Sequence, residues 1–195
     1  MQCNVGKPED RHNLIDQTVA KWGGVDICVQ TAGVNPATGW LLDCSEAVWD
    51  KLFDINVKST WAITKLVAPY MQKKKNGCII YVPSLGVYGQ IVPDGALSGY
   101  IVSKTCLLSL CKMAAQQLAP DNVRVNTIIP GAIKTRFAEV LSREDVASYL
   151  MALCPLGRFG EPDDVAGMAA FLASADASYV TGENFVVAGG MPSRL

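Results

Sequence analysis

The sequence predicts an α/β fold, a single domain of 195 residues in which helices cover both faces of a parallel sheet, the doubly wound arrangement. Three stretches are almost continuously apolar, which is typical of strands buried on both faces of such a sheet. Longer segments with apolar residues at helical spacing separate these stretches, so strand and helix alternate along the chain. The three apolar stretches are residues 25–29, 78–82 and 123–129.

The composition excludes several classes of function. Half of the residues are hydrophobic and the formal net charge is −1, so a sizeable core can form and no excess of cations indicates binding to nucleic acid or to an anionic membrane. No apolar run has the length needed to cross a bilayer. The seven cysteines include no C-x-x-C pair and there is one histidine, so we expect reduced thiols and no metal site.

Helix signals and small residues organise the first part of the chain. A helix is predicted to begin near Pro8 and to end at the glycine pair at 23–24, because proline suits a first helical turn and glycine a helix end. The half-apolar segment 1–5 before it is interpreted as the end of a strand. After the strand at 25–29, Thr31-Ala32-Gly33 is expected to let the backbone approach a ligand closely.

The later elements follow the same alternation. Ser45 is expected to cap a helix that continues to about residue 75, and a second helix is expected near 97–119. Asn56 falls inside the first of these helices, where asparagine is unfavourable unless its side chain has a specific partner. Another helix should begin at Pro162 and a last strand should span 184–188. The mixed segment 137–159, which precedes Pro162, is expected to lie over the site as a lid.

Ser84, Tyr100 and Lys104 are the first candidates for chemistry. Tyr100 and Lys104 are four residues apart and share one face of a helix, and Ser84 follows the strand at 78–82. The three side chains can therefore converge at the carboxyl edge of the sheet, where open α/β folds bind their ligands. We expect the ammonium to lower the pKa of the phenol, so that Tyr100 can exchange a proton near neutral pH.

Six motifs, in order and each on the expected element, resemble those of the short-chain dehydrogenase/reductase family. The resemblance covers nearly the whole chain and implies a Rossmann-like fold. It also implies an NADP(H)-dependent reductase of ketones and aldehydes, retinal included. The motifs are Thr31-Ala32-Gly33, Asn56-Val57-Lys58, Ser84, Tyr100-x-x-x-Lys104, Pro130-Gly131-x-x-x-Thr135 and Thr181-Gly182-Glu183.

The resemblance also implies a role for each site residue. Tyr100 would donate a proton to the carbonyl oxygen, and Lys104 would lower the pKa of Tyr100 and hydrogen-bond the nicotinamide ribose. Ser84 would hold the substrate oxygen, and Asn56 would fix a water that links Lys104 to solvent. The cofactor-binding residues implied are Asn4, Ala32, Gly33, Tyr100, Lys104, Pro130, Gly131, Ile133 and Thr135.

The sequence departs from the family pattern at its beginning. It contains no glycine-rich phosphate loop, and the resemblance starts at the family's third strand, so the expected fold is an N-terminally truncated single domain over 1–195 that lacks the first β-α-β-α unit. That unit binds the pyrophosphate and selects NAD or NADP, so NADP is implied by the resemblance alone and the chain as written should bind NADPH poorly. The strand at 25–29 should become an exposed apolar edge, an aggregation hazard.

Other departures concern the site itself. Gln30-Thr31 stands where the family usually has two asparagines, or asparagine and a small residue, and Asn4 stands where many members have aspartate. Ser84 and Tyr100 are also farther apart in sequence than is usual, so the shape of the substrate pocket should differ.

Three interpretations are compatible with these residues. The chain is a carbonyl reductase, a non-catalytic subunit partner of longer family members, or an incomplete gene product without a stable fold. By resemblance, helices near 45–75 and 97–119 would pair subunits, giving a homo-oligomer such as a homotetramer. The end Ser193-Arg194-Leu195 is similar to the Ser-Lys-Leu peroxisomal address and implies a peroxisomal import receptor as partner, with the cytoplasm as the alternative location.

Overall fold

Four parallel strands form the centre of the structure, a computed structural model that describes residues 1–89, 95–135 and 143–193. The strands lie side by side in chain order, and a segment containing helix connects each one to the next. They are β1 (Ile27–Gln30), β2 (Gly77–Tyr81), β3 (Val123–Pro130) and β4 (Asn184–Val187). The predicted α/β fold, a Rossmann-like doubly wound parallel sheet, is confirmed, and the strands predicted at 25–29, 78–82, 123–129 and 184–188 agree with the observed bounds to within two residues.

Helices cover both faces of this sheet. On one face, Val67 and Leu107 pack in a core cluster with Ile79 of β2. On the other face, Leu172 packs against Ile80 and Ile128, the side chains that point the opposite way from β2 and β3. The helices are α1 (Pro8–Trp22), α2 (Glu46–Phe53), α3 (Ser59–Lys74), α4 (Ser98–Leu118), α5 (Glu144–Ala152) and α6 (Pro162–Ala173). No helix in the described part of the chain is long and apolar enough to cross a membrane.

The predicted helix ends are confirmed, whereas the predicted opening strand is wrong. α1 begins at Pro8 and ends before Gly23, which has a φ of 78°, a conformation that favours glycine. The Ser45 side chain accepts a hydrogen bond from the Val48 amide at 3.4 Å. Residues 1–5 form no strand, because a local turn takes up the polar groups of Asn4, whose side-chain oxygen accepts a hydrogen bond from the amide of residue 6.

The helix predicted from Ser45 to about residue 75 is two helices joined by one wide turn. This π-helical turn spans Asp54–Lys58, and the Ser59 amide donates to the carbonyl oxygen of Asp54, five residues earlier. The hydroxyls of Ser59 and Thr60 donate to the carbonyl oxygens of residue 55, at 2.6 Å, and of Asn56, at 3.1 Å. Such turns are rare and often lie at functional sites. Here the turn holds Asn56 completely buried.

A buried polar chain connects β1 to α3. The Gln30 amide nitrogen donates to the Thr64 hydroxyl at 3.1 Å, and this hydroxyl lies 2.9 Å from the Tyr81 hydroxyl. Thr64 gives its own hydrogen to the carbonyl oxygen of Thr60, so Tyr81 must donate to Thr64. Burial raises the pKa of Tyr81, which keeps the phenol protonated as that donor. The network fixes the carboxyl end of β1, from which the site is built.

β1 is one of the two edges of the described sheet and carries exposed apolar side chains. Within the described residues it pairs only with β2. Ile27 is 51% exposed and Val29 is 44% exposed, although both lie in a strand. The expected exposed apolar edge is thus confirmed for these two residues, whereas Val25 is buried at 8%. Unpaired edges of this kind offer backbone groups and apolar surface to other chains.

We predict that Ile27→Lys raises the protein concentration at which aggregates form. A lysine on an edge strand opposes edge-to-edge pairing, because its charge would have to be desolvated in the aggregate. Light scattering against concentration measures the effect. Leu42→Lys is the matched control, because Leu42 is 95% exposed outside any strand. Equal effects of the two substitutions would contradict a role for the edge.

Candidate active site

The carboxyl ends of β1, β2 and β3 open into a cavity of about 1190 Å³. The segments that follow these strands form its floor, and α4, α5 and α6 contribute its walls. This edge is where open parallel sheets bind ligands. The predicted site residues that line the cavity are Ala32, Gly33, Ser84, Tyr100, Lys104, Pro130, Gly131, Ile133 and Thr135. Asn4 and Asn56 are not among the described lining residues.

Tyr100 and Ser84 meet inside this cavity. Tyr100 lies in the first turn of α4 and is 7% exposed. Ser84 follows β2 and lines the same cavity, and its side chain is near enough to the Tyr100 phenol to lower the pKa of that group. The sequence prediction that a hydroxyl and a phenol converge at the carboxyl edge of the sheet describes this arrangement correctly.

Lys104 lies one helical turn after Tyr100 and is almost fully buried, with 2% of its surface exposed. Its Nζ donates a hydrogen bond to the carbonyl oxygen of Val82 at 3.1 Å, and it lies 5.8 Å from the centre of the Tyr100 ring. The ammonium is therefore held between the end of β2 and the phenol. The three predicted groups are brought together as the sequence indicated.

The expected lowering of the Tyr100 pKa is wrong for this structure. Burial raises the pKa of Tyr100 to about 12, and the hydrogen bond with Ser84 lowers it by a smaller amount. Burial also lowers the pKa of Lys104 to about 8. In both side chains the loss of hydration of the charged form outweighs the neighbouring groups. At neutral pH the phenol therefore carries its proton and most Lys104 side chains carry their charge.

Asn56 fixes the loop after β1 instead of lining the cavity. Its Oδ1 accepts a hydrogen bond from the Val34 amide at 2.8 Å, and its Nδ2 donates to the Val34 carbonyl oxygen at 3.0 Å. Nδ2 also donates to the Ser103 hydroxyl at 2.8 Å. Both amide hydrogens are thus used within the protein, so a water at Asn56 would have to donate to one of its oxygens.

Gly33 lets the loop pass close to these groups. A Cβ atom at this position would lie 2.9 Å from the Nζ of Lys104 and 3.4 Å from the Oδ1 of Asn56. A side chain at this position would therefore require the end of Lys104 to shift, and the small residue predicted here lets the backbone approach the ammonium. Asn4, by contrast, lies in the turn before α1, away from the cavity lining.

The opposite wall is built after β3. A Cβ at Gly131 would lie 2.9 Å from the backbone of Ala188, so glycine is required where the segment after β3 passes β4. Ile133 then forms a parallel bridge with Gly160, in which the Gly160 amide donates to the carbonyl oxygen of residue 132 at 2.9 Å. This bridge holds the predicted residues Ile133 and Thr135 at the cavity.

The predicted lid is present in part. Leu150 of α5 lines the cavity and is 3% exposed, so this helix covers one side of it. Pro162 and Val165 of α6 complete that side. Residues 137–142, the first part of the predicted lid, lie outside the described residues.

The lining is mostly apolar, and its charges have one sign. Lys51 and Lys104 are the two cations, and no carboxylate side chain occurs in the described lining. Such a cavity suits a neutral or anionic ligand and opposes a cationic one.

Sequence reasoning missed several supporting residues. Val34 and Ser103 hold Asn56, and Gly160 bridges to Ile133, yet none of them was predicted to serve the site. Ser103 lies directly before Lys104, so its helical position was visible in the sequence, but its partner is 47 residues away. Gly160 precedes Glu161 and Asp164, a capping box that marks the start of α6 and was a usable signal.

Comparisons with known proteins agree with this geometry. A family model described as Enoyl-(Acyl carrier protein) reductase matches residues 1–192. Dehydrogenase/reductase SDR family member 4 from Sus scrofa is 47% identical over 194 residues, which is 99% of this chain and 68% of that protein. The Homo sapiens protein of the same name is 48% identical over 195 residues, covering 99% of this chain and 69% of that one.

Solved structures of short-chain dehydrogenases/reductases also resemble this chain. A short-chain type dehydrogenase/reductase from Mycobacterium ulcerans superposes with a TM-score of 0.89 at 30% identity, covering 96% of this chain and 68% of that one. The structure described as ElxO with NADP bound has a TM-score of 0.86 at 27% identity, covering 97% of this chain and 76% of that one.

We predict that the effect of Lys104→Met on stability depends on pH. Burial lowers the folded-state pKa to about 8 from the ordinary 10.5, so between these values the unfolded chain binds more protons and wild-type stability rises with pH. The methionine variant does not titrate here. As the pH rises from about 7 to about 10, the free energy of unfolding of the variant should therefore decrease relative to that of wild type, by on the order of 2 kcal/mol.

Urea unfolding at the two pH values measures this difference. Lys112→Met is the control, because Lys112 lies on the same helix with its side chain 48% exposed in a surface pair with Glu183. The same pH dependence in both variants would contradict the burial of the Lys104 charge.

Proposed function

The chain belongs to the short-chain dehydrogenase/reductase family, an oxidoreductase family, and from that premise we propose that it reduces ketones and aldehydes with NADPH. The observation that carries the proposal is the contact between the Ser84 and Tyr100 side chains, with the Lys104 ammonium beside the phenol, in a largely apolar cavity. Two hydroxyls and a cation placed together can stabilise the negative charge that develops on a carbonyl oxygen during reduction.

Each residue has a distinct part in the proposed reaction. A carbonyl oxygen placed between the two hydroxyls accepts hydrogen bonds from Ser84 and Tyr100. Because burial raises the pKa of Tyr100 to about 12, the phenol is protonated at neutral pH and can give its proton to the developing alkoxide. The Lys104 ammonium, next to the ring, then stabilises the phenolate.

The residues present fit the nicotinamide end of the cofactor better than its phosphate end. When bound, NADPH supplies the hydride. Tyr100 and Lys104 would contact the nicotinamide ribose, and Gly131, Ile133 and Thr135 would hold the nicotinamide against the wall after β3. The described lining contains no glycine-rich loop leading into a helix, the usual site for a pyrophosphate, and Lys51 and Lys104 are its only cations. NADP as the cofactor is supported by the NADP-bound structural neighbour.

The reductase proposal predicts weak cofactor binding and a strict need for Tyr100. Titration of NADPH fluorescence should give a dissociation constant of about 1 mM or above, because the phosphate cradle is not present in the described lining. With several millimolar NADPH and an aromatic ketone, turnover should fall about a hundredfold or more in Tyr100→Phe, which keeps the ring and removes the proton. NADPH absorbance measures turnover.

Tyr149→Phe is the matched control, because Tyr149 is 43% exposed on α5. Equal turnover in Tyr100→Phe and wild type, or no turnover in wild type at several millimolar NADPH, would contradict the proposed reaction. An affinity well below 1 mM would contradict weak binding only.

A second candidate function, as a subunit partner, is favoured by exposed apolar residues on two helices. Trp61 of α3 is 50% exposed and Met113 of α4 is 58% exposed, and these are the helices near 45–75 and 97–119 proposed to pair subunits. The proposed assembly is a homo-oligomer. Analytical ultracentrifugation should show a dimer or larger species, and Trp61→Glu should shift it towards monomer. Trp40→Glu, at a loop residue 55% exposed, is the control; a monomeric wild type would contradict the assembly.

The location proposed for the protein is the peroxisome, with an import receptor as partner. The support is the similarity of Ser193-Arg194-Leu195 to a peroxisomal address, although Arg194 and Leu195 lie outside the described residues. Removal of Leu195 should leave a tagged chain in the cytoplasm, and unchanged import would contradict the proposal.

A further inference from the structure

We infer that Ser103 is a positioning residue for the proposed reaction, because its hydroxyl joins the Asn56 amide to the backbone of Tyr100 and so holds the loop after β1 against the catalytic helix. This inference rests on the proposed reductase function. Ser103 is completely buried and is not among the described lining residues of the cavity, so it acts through other residues and not on a ligand.

The hydrogen bonds around Ser103 admit one arrangement. Its hydroxyl gives its only hydrogen to the carbonyl oxygen of Tyr100 at 2.7 Å. Towards Asn56 it can therefore only accept, and the Asn56 Nδ2 donates to it at 2.8 Å. The Val34 amide donates to the Asn56 Oδ1 at 2.8 Å, so this atom must be the oxygen. A flipped amide would place its NH₂ group against the Val34 N–H, with two donors facing each other.

Gly33 connects this set of hydrogen bonds to the Lys104 ammonium. The Asn56 side chain holds both backbone groups of Val34, and Gly33 precedes Val34 in the same loop. A methyl group at Gly33 would meet the Nζ of Lys104 and the Oδ1 of Asn56 together. The position of the Asn56 amide thus determines where the loop after β1 lies beside Lys104. Ser103 is the one link in this set that also bonds the turn of α4 carrying Tyr100.

Loss of the Ser103 hydroxyl leaves an amide hydrogen of Asn56 without its acceptor in a fully buried site. The amide is then free to move away from Val34, which loosens the loop and changes the surroundings of Lys104. Contacts between the carbonyl substrate and Ser84 or Tyr100 are not altered directly. The expected signature is a fall in kcat with little change in the KM for the carbonyl substrate.

The first experiment needs no activity. Hydrogen exchange followed by NMR should show the Val34 amide exchanging about tenfold faster in Ser103→Ala than in wild type, with the amides of β2 and β3 unchanged. Thr105→Ala is the matched control, because Thr105 donates its hydroxyl hydrogen to the carbonyl oxygen of Ile101 at 2.8 Å on the exposed side of the same helix. Ser103→Thr should restore slow exchange. Ser103→Cys, similar in volume but a poor hydrogen-bond partner, replaces Ser103→Ala if that variant does not fold.

The second experiment measures turnover at several millimolar NADPH. Ser103→Ala should lower kcat about tenfold with KM for the ketone within about twofold, and Ser103→Thr should restore kcat. Exchange at Val34 equal to that of Thr105→Ala would overturn the inference, and so would faster exchange with unchanged kcat. A wild type without turnover would instead overturn the proposed reaction, and the exchange result would still decide whether Ser103 holds the loop.

Discussion

A charged side chain held almost completely out of water is the constraint on which the rest of the site depends. Lys104 has lost nearly all of its hydration, and burial lowers its pKa to about 8. Among the described residues, the ammonium contacts one backbone carbonyl oxygen, that of Val82, and the neighbouring ring of Tyr100. These two contacts of the ammonium are kept only while the strand β2 and the helix α4 keep their relative position. Glycine at position 33 leaves the ammonium in place, because a larger residue would require the end of Lys104 to shift.

Burial shifts the pKa of Tyr100 upwards and that of Lys104 downwards, because in both side chains it disfavours the charged form. A phenol in this environment keeps its proton, while the neighbouring lysine keeps its charge less firmly than it would in water. The pair therefore rests as a neutral acid beside a cation. It becomes an ion pair only if a proton leaves the phenol, which is the change that reduction of a carbonyl requires.

Much of the fold was predictable, because each strand and helix carries its own local signal. Continuous apolar runs predicted the strands, and Pro8, Gly23 and Ser45 marked helix ends. The meeting of Ser84, Tyr100 and Lys104 followed from strand ends and helix periodicity. The wide turn at Asn56 could not be predicted, since its side-chain partners lie 22 and 47 residues away. The raised pKa of Tyr100 was missed because depth of burial is a property of the whole fold and the four-residue spacing reports only proximity.

The order of the strands has a consequence for how the chain is made. β1, β2, β3 and β4 lie beside one another in the sequence in which they leave the ribosome, and every pairing joins strands that are consecutive in the chain. The sheet can therefore grow during synthesis by adding one strand and its helical connection at a time. None of these four strands has to be inserted between two that are already paired. The three connections that close on pairing are of comparable length, so their entropic costs are similar.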